Sequence, residues 1–324
     1  MRDPVHTPET TVPIPSFPGA FPGAFPGAVA ALVVAYRPDP GLRDCLVAAA
    51  AAADRVYLFQ QERGVDAEDD RLVDGAVAAV GATLLHDAGN IGLAAAQNRL
   101  IDRALADGHG WLLFLDQDSV PRPGLRAAFT AALAQAPADT GLLAARNLEA
   151  EGAGHEAPWV VSADGRHWAI AQFDGAVLPD LLLAPASGCL VSAAALTACG
   201  PLRDGFFIDW VDVEYALRLR RHGFRLVAVR DALVDHRLGA ATHVHAGGRT
   251  VAITHHAARR RYFQARNAVW TWRLHHAAVP ALSGWTLRVL ASTAIKILLL
   301  ERGRGAKLAA LARGLWQGLT TKPA

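Results

Sequence analysis

The stretch that most constrains the fold is WLLFLDQDS at residues 111–119, where five consecutive apolar residues run directly into a segment carrying Asp116 and Asp118. An apolar run of this length, ended by polar residues, reads as a strand buried on both faces, as parallel strands are. In open α/β sheets, chemistry sits at the carboxyl ends of such strands. Two aspartates two residues apart near a strand end can point the same way. They then offer oxygen ligands to a hard divalent cation, Mg2+ or Mn2+, whose coordination a nucleotide diphosphate could complete. The alternative is a plain Asp-rich turn, so the surrounding sequence has to decide.

That context alternates between strand and helix. Residues 29–35 form an apolar β-like run, followed by the turn residues Arg37-Pro38-Asp39-Pro40-Gly41 and an alanine-rich helix to about Ala53. Residues 56–59 and 82–85 read as short strands, and 93–106 as a helix ahead of the Trp111 strand. Further on, 123–134 reads as a helix, and 141–145, 189–193 and 225–234 as strands. Such alternation implies an α/β fold with a mostly parallel sheet covered on both faces. Residues 149–178 lack clear periodicity and read as a loop or hairpin bordering a substrate.

The chain has 324 residues, 52% of them hydrophobic, enough for one large core or two unequal ones and well outside the range of disordered chains. A net charge of +2 hides an asymmetry: acids gather at 62–74, and arginines dominate 218–273. The later half would attract anions. No nucleic-acid partner is expected. The three cysteines show neither CxxC spacing nor grouping with histidines, so neither a disulfide framework nor a zinc site is indicated, which fits a reducing cytoplasm. The N-terminus lacks signal-peptide character and carries three FPGA repeats between Phe17 and Ala28, so residues 1–28 read as a flexible leader. From His255 onward the pattern is helical, and 285–300 is strongly apolar apart from Arg288 and Lys296. That segment is short for a bilayer span. It fits either an amphipathic helix on a membrane, with Arg302, Arg304 and Lys307 meeting headgroups, or a helix packed on the protein itself.

Two further constellations carry possible chemistry. NIGLAAAQNR at 90–99 joins a tight loop to a helix, either as an anion site at the helix N-terminus or as a well-packed capped helix. The segment 209–223 reads as a helix with Asp209 as N-cap, acids in its first turn, arginines in its last and glycine after. Asp209 and Asp212 share a face and can converge on one place, where a carboxylate could act as a general base. Glu214 lies on the other side of that helix and is expected in a surface salt bridge with Arg218, four residues on.

In order along the chain stand VVAYRPD, NIGLAAAQNR, LFLDQDS, PASGCLVS, FFIDWVDVEYALRLRRHGF, VDHRLG and RRRYFQARN. Together they resemble the inverting nucleotide-sugar glycosyltransferases of family 2, most closely their bacterial rhamnosyltransferase branch, over roughly 29–273. The resemblance implies a Rossmann-like nucleotide-diphospho-sugar transferase fold of GT-A type at 29–273; residues 274–324 read as a helical extension open to either of the two readings above, on a membrane or on the protein itself. It implies that Asp116, Asp118 and His236 hold the metal and that Asp212, with Asp209 beside it, supplies the catalytic base. Tyr36, Arg37 and Pro38 match the loop around base and ribose, and Asn90, Gly92, Gln97, Asn98 and Gln117 fall on the donor side. Ser187, Gly188 and Trp210 fall on the acceptor side. Arg261, Tyr262, Arg266 and Asn267 match a helix whose guanidinium groups could clamp phosphate, whereas Arg259 and Arg260 fit a solvated basic face. One departure stands out: the family places an acid and an asparagine after its second strand, and this chain has Phe59-Gln60-Gln61-Glu62, where Gln60 or Gln61 could take over.

The activity this implies is transfer of L-rhamnose from dTDP-L-rhamnose to a cell-surface polysaccharide or lipid-linked saccharide, at the inner face of the cell membrane. A galactofuranosyl or other hexosyl transferase using a UDP-sugar fits the same residues. Readings from other classes are a metal-dependent nucleotidyltransferase and a non-catalytic nucleotide-sugar binding protein.

Overall fold

A computed structural model of the chain describes residues 27–149, 159–162, 168–236, 241–246, 249–254 and 256–323; the FPGA repeats up to residue 26 lie outside them. The first half is built of strand–helix units: β1 (Val29–Ala35), α1 (Leu42–Ala52), β2 (Arg55–Gln60), α2 (Ala67–Val80), β3 (Thr83–His86), α3 (Leu93–Ala106) and β4 (Trp111–Asp116). A short β5 (Ser119–Pro121), α4 (Leu125–Leu133) and the long β6 (Thr140–Glu149) follow. The acidic stretch, for which sequence suggested only a charge bias, folds as α2. Its signal is Asp66, which caps the helix by accepting from the backbone N–H of Glu68 and Asp69, with three acids in the first turn.

Beyond β6, β7 (Trp159–Ser162) and β8 (Trp168–Ala171) pair as an antiparallel hairpin, and β9 (Val177–Leu178) is a two-residue strand. Next come β10 (Cys189–Ser192), α5 (Ala193–Cys199), a single 3-10 turn at Asp204–Phe206, α6 (Val211–Arg221) and β11 (Arg225–His236). A second hairpin, β12 (Ala241–Ala246) with β13 (Arg249–Thr254), precedes α7 (Ala258–His275), α8 (Leu282–Leu300) and α9 (Arg304–Thr320).

The main sheet runs β3-β2-β1-β4-β10-β6-β11-β5, with β9 also on β11. β3, β2, β1 and β4 are parallel, β10 runs antiparallel between β4 and β6, and β6 and β11 are parallel to each other. Alternation along β1 and β4 splits the core. Leu32, Leu112 and Phe114 face one layer with α3 and α6, whereas Val33, Leu113 and Leu115 face the other with α1 and α4. The carboxyl ends of β1, β2, β3 and β4 therefore share one edge, with Tyr36, Gln61 and Asp116 beside one another.

α9 lies directly on α7. A Cβ at Gly314 would sit 2.3 Å from the Tyr262 carbonyl oxygen, and one at Gly318 would sit 2.7 Å from Val269 Cβ, so only glycine admits this approach. Arg261 pairs with Glu301, and Lys307 reaches the same carboxylate at 2.6 Å.

Candidate active site

The carboxyl edge of the sheet opens into a cavity of about 890 Å3, within the usual range for small-molecule sites. At one corner Asp116, Asp118 and His236 bring their ligand atoms within 4.8 Å of one another. Register explains the meeting of residues so far apart in sequence. β5 follows the aspartates at once and pairs antiparallel with the end of β11, setting Ser119 opposite His236. A hydroxyl relay fixes the corner. The Asp116 N–H donates to Ser187 Oγ (3.0 Å), Ser187 Oγ donates to Ser119 Oγ (2.7 Å), and Ser119 Oγ lies 2.8 Å from His236 Nδ1. Burial lifts the Asp116 carboxyl above the usual carboxylate range and the Asp118 charge adds to the rise, against the opposing pull of His236 and Arg260. Two oxygen donors and one imidazole, braced by hydroxyls, are a donor set that Mg2+ or Mn2+ would accept, and a cation would relieve the crowding of the two carboxylates.

Ser187 and Gly188 therefore stand behind this corner rather than on an acceptor face. Ser187 is buried in the relay, and Gly188, at φ +81, would place a Cβ 3.1 Å from Ala145 Cβ and 3.2 Å from Asn147 Oδ1. The wall next to them is formed by Ala184, Pro185, Ala186 and Cys189. No described residue of 149–178 lines the cavity; residues 150–158 and 163–167, on which the expected border with a substrate also falls, lie outside the described residues.

The loop before α6 forms the opposite wall. Phe207, Asp209 and Trp210 all have left-handed backbones, at φ +61, +63 and +66, each costing about 1–3 kcal/mol in a non-glycine residue. Contacts from other elements hold this conformation. The buried Asn267 amide lies 2.7, 2.8 and 2.9 Å from the carbonyls of Phe206, Ile208 and Asp209, and Arg266 donates to the Gly205 carbonyl. Leu93 N–H donates to the Phe207 carbonyl at 2.5 Å, which draws Phe207 over Gly92, where a Cβ would lie 2.6 Å from its ring. Helix α6 consequently starts at Val211, and Asp209 does not cap it. Instead its carboxylate takes a bidentate pair of bonds from Arg260 at 2.9 Å.

Asp212, in the first turn of α6, lines the cavity between that pair and the Asp116 corner. Burial pushes its carboxyl up to about 6, against the stabilising backbone N–H groups of Val213 and Asp212, with the charges of Asp116 and Asp209 adding to the rise. Glu214 does bond Arg218 as expected, but inside the protein rather than on its surface. It is 2% exposed and also meets Arg203 at 3.1 Å and His275 at 3.4 Å.

The basic helix is oriented differently from the sequence expectation. Arg259 and Arg260 line the cavity, Arg259 lying over the Phe207 ring at 4.7 Å. Arg261 faces Glu301, and Arg266 lies over the Trp270 ring while holding the Gly205 carbonyl, so neither lines the cavity. The proposed phosphate clamp thus braces the fold, and the supposed solvated face turns inward. Helical spacing separates only Arg261, which falls off the side of α7 that carries Arg259, Arg260 and Phe263; Arg266, two turns on from Arg259, shares that side and is drawn away by the Gly205 carbonyl. His256 also lines the cavity, its pKa lowered to about 4 by burial and by the charges of Arg260 and Arg261.

Beside the Asp116 corner, around the ends of β1 and β2 and the start of α3, stand Tyr36, Gln61, Asn90 and Gln97. Gln117 braces the β1 end, its amide spanning the Tyr36 backbone N–H (2.8 Å) and carbonyl (3.2 Å). Arg37 turns outward toward Glu62 at 3.8 Å, and Pro38 is buried outside the cavity wall. Gln60, the buried last residue of β2, is held by Asp70 (2.5 Å) and Arg63 (2.6 Å), and the neighbouring Gln61 is the glutamine that lines the wall. Asn98 is occupied with Leu202 and Asp204, outside the wall. Asn90 lines the wall while accepting from the Gly92 N–H at 3.0 Å.

One cavity at the carboxyl edge of the parallel strands thus gathers an acidic corner, the strand ends carrying Tyr36 and Gln61 beside it, and the buried Asp212 carboxylate. Residues 26–263 match the family described as glycosyltransferase like family 2, and the chain belongs to that family. Its fold is GT-A-like. Among individual relatives, the chain is 32% identical over 96 residues to the dTDP-rhamnosyl transferase RfbF of Shigella flexneri, a match covering 30% of this chain and 31% of that protein. Among solved structures it is similar to S. aureus TarS 1-349 in complex with UDP-GlcNAc (TM-score 0.56, 13% identity, 90% of this chain and 81% of that one). It is also similar to the mannosyltransferase PcManGT from Pyrobaculum calidifontis in complex with GDP-Man and Mn2+ (TM-score 0.53, 12% identity, 91% and 88%).

Proposed function

We propose that this glycosyltransferase is an inverting enzyme that moves L-rhamnose from dTDP-L-rhamnose to a hydroxyl of a cell-surface polysaccharide or lipid-linked saccharide on the cytoplasmic side of the membrane. The observation that carries the mechanism is the position of Asp212, a cavity carboxylate lifted to about 6 and facing the same space as the Asp116 corner. Rhamnose is favoured by the likeness to the Shigella flexneri dTDP-rhamnosyl transferase.

Asp116, Asp118 and His236 would hold the divalent cation, which when bound supplies positive charge to the departing diphosphate. The chain's own residues do the rest. Arg260, locked by Asp209, presents its guanidinium to the anionic part of the donor, and Arg259 lies beside it. Asp212 takes the proton from the acceptor hydroxyl as that oxygen forms its bond to the anomeric carbon, while the bond from that carbon to the diphosphate oxygen breaks. Attack from the side opposite the leaving group inverts the anomeric centre. Gln61 bears on the nucleotide. The Ile91 N–H fixes its Oε1 at 2.7 Å, so its amide N–H groups are what it can present to a nucleobase, whose carbonyls would accept them.

Titrating the protein with a panel of nucleotide sugars, in Mg2+ or Mn2+ and then with chelator, tests this reading. Selection of dTDP-L-rhamnose, with affinity lost on chelation, is expected. Preference for a UDP-sugar would overturn the donor assignment, and metal-independent binding would remove the role given to Asp116, Asp118 and His236.

A further inference from the structure

Helix α8 is long and apolar enough to cross a membrane by length and composition, yet only 17% of its apolar window is buried within the protein. Its outward residues share one stripe. Leu287, Ala291, Ile295 and Leu298 recur at helical spacing, with Leu287 70% and Ile295 53% exposed, and Leu299 borders them at 67%. On α9, Trp316 is 71% exposed. A soluble protein rarely leaves so much large apolar surface uncovered without a partner.

Charge identifies the partner. From residue 274 to the end of the chain there are four arginines and three lysines against a single acid, Glu301. That acid is buried and neutralised by Arg261 and Lys307, so these helices show no exposed carboxylate. Arg288 borders one side of the α8 stripe, Lys296 is exposed further round the same helix, and Arg302, Arg304, Arg313 and Lys322 are exposed nearby in the chain. A leucine-rich stripe with exposed cations beside it and no exposed anions is complementary to an anionic bilayer surface, into which the leucines sink while the basic groups meet phosphates. Arg288 and Lys296 within the apolar length disfavour a full span. The packing of α9 on α7 also holds this region as part of a folded bundle.

We infer that α8 is a membrane-docking surface for anionic lipid. Its first turns touch the cavity wall: Trp285 packs on Trp210, ring centroids 5.0 Å apart, and Trp210 lines the cavity next to Asp209. Docking through α8 would hold that wall close to the lipid surface, where a lipid-linked acceptor could reach it. The docking surface itself stands on exposure and charge, independently of the donor or the reaction.

Flotation of the full chain with vesicles of phosphatidylcholine alone, or of an equimolar mixture with phosphatidylglycerol, tests this. Each basic side chain near an anionic surface contributes about fivefold in affinity, so binding to the mixed vesicles should exceed that to neutral ones by at least about tenfold and fall with added salt. The double variant Leu287→Glu/Leu298→Glu should lose binding while keeping its melting temperature, because both side chains are exposed. Equal binding to both vesicles, none to the anionic ones, or retention after an alkaline carbonate wash would overturn the inference. So would a dimer in light scattering that the double variant dissociates, since a second copy would then be the occupant of α8.

Discussion

Asp212 is set by two opposing influences, burial that disfavours its charge and helix N-terminal amides that favour it, and burial wins. The sign follows directly. The base form is the ionised one, so transfer should fall about tenfold per pH unit below about 6 and level off above it, read as kcat/KM against pH. A profile flat through that value would remove Asp212 from the role. The same shift predicts a stability effect. A carboxyl whose folded pKa is raised opposes folding once ionised, so Asp212→Asn should stabilise the metal-free protein at neutral pH by at most about 3 kcal/mol. That gain should shrink as pH falls below about 6 and vanish below the ordinary value of 3.8, which urea denaturation across pH would read. Aspartates at 116, 118 and 212 were legible in the sequence because motif spacing and strand or helix ends located them. Arg260 and Gln61 were not. Each has a neighbour of the same type, and which of the pair turns inward depends on the twist of its own element against the rest of the fold.

At the scale of elements, the buried carboxylate Glu214 bonds Arg218 within α6, links α6 to α7 through His275, and reaches the loop after α5 through Arg203. Burial would raise its pKa, but the bonds from His275 and Arg218 and the nearby Arg203 charge outweigh it and hold the group at about 2. Because that value is depressed, the stabilisation is full above 4.5 and is lost as pH falls toward about 2. Glu214→Gln should destabilise the protein by about 3–5 kcal/mol at neutral pH, since it strands cations with little access to water. A loss under about 1 kcal/mol in urea denaturation would mean that the surrounding cations find solvent instead. Sequence indicated the Arg218 partner from i,i+4 spacing but placed the pair on the surface. Spacing reports which side chains meet and is silent on what later packs over them, here His275, 61 residues away. The β1, β4 and α3 boundaries were legible because apolar runs and turn residues mark them. The left-handed loop at 207–210 was not: its conformation is imposed by Asn267 and Arg266, far along the chain.

Over the whole molecule, sheet order brings together what sequence order separates. β1, β2 and β4 supply the nucleotide end and the acidic corner, β11 returns His236 to that corner, and α6 and α7 close the cavity with Asp212, Arg259 and Arg260. The parallel architecture was readable from alternation, and the family from seven motifs in order. The antiparallel course of β10, which follows the Ser187 turn and runs between β4 and β6, was not readable, because so short an apolar run has no direction until its neighbours are known. The account rests on donor site and base being separate parts of one cavity. The measurement that tests this most directly compares Asp212→Asn with the unaltered protein for dTDP-L-rhamnose affinity and for transfer rate. Affinity within about twofold together with a rate lowered by about 100-fold or more is the predicted result. Transfer near the unaltered rate, or loss of donor binding in step with transfer, would contradict it.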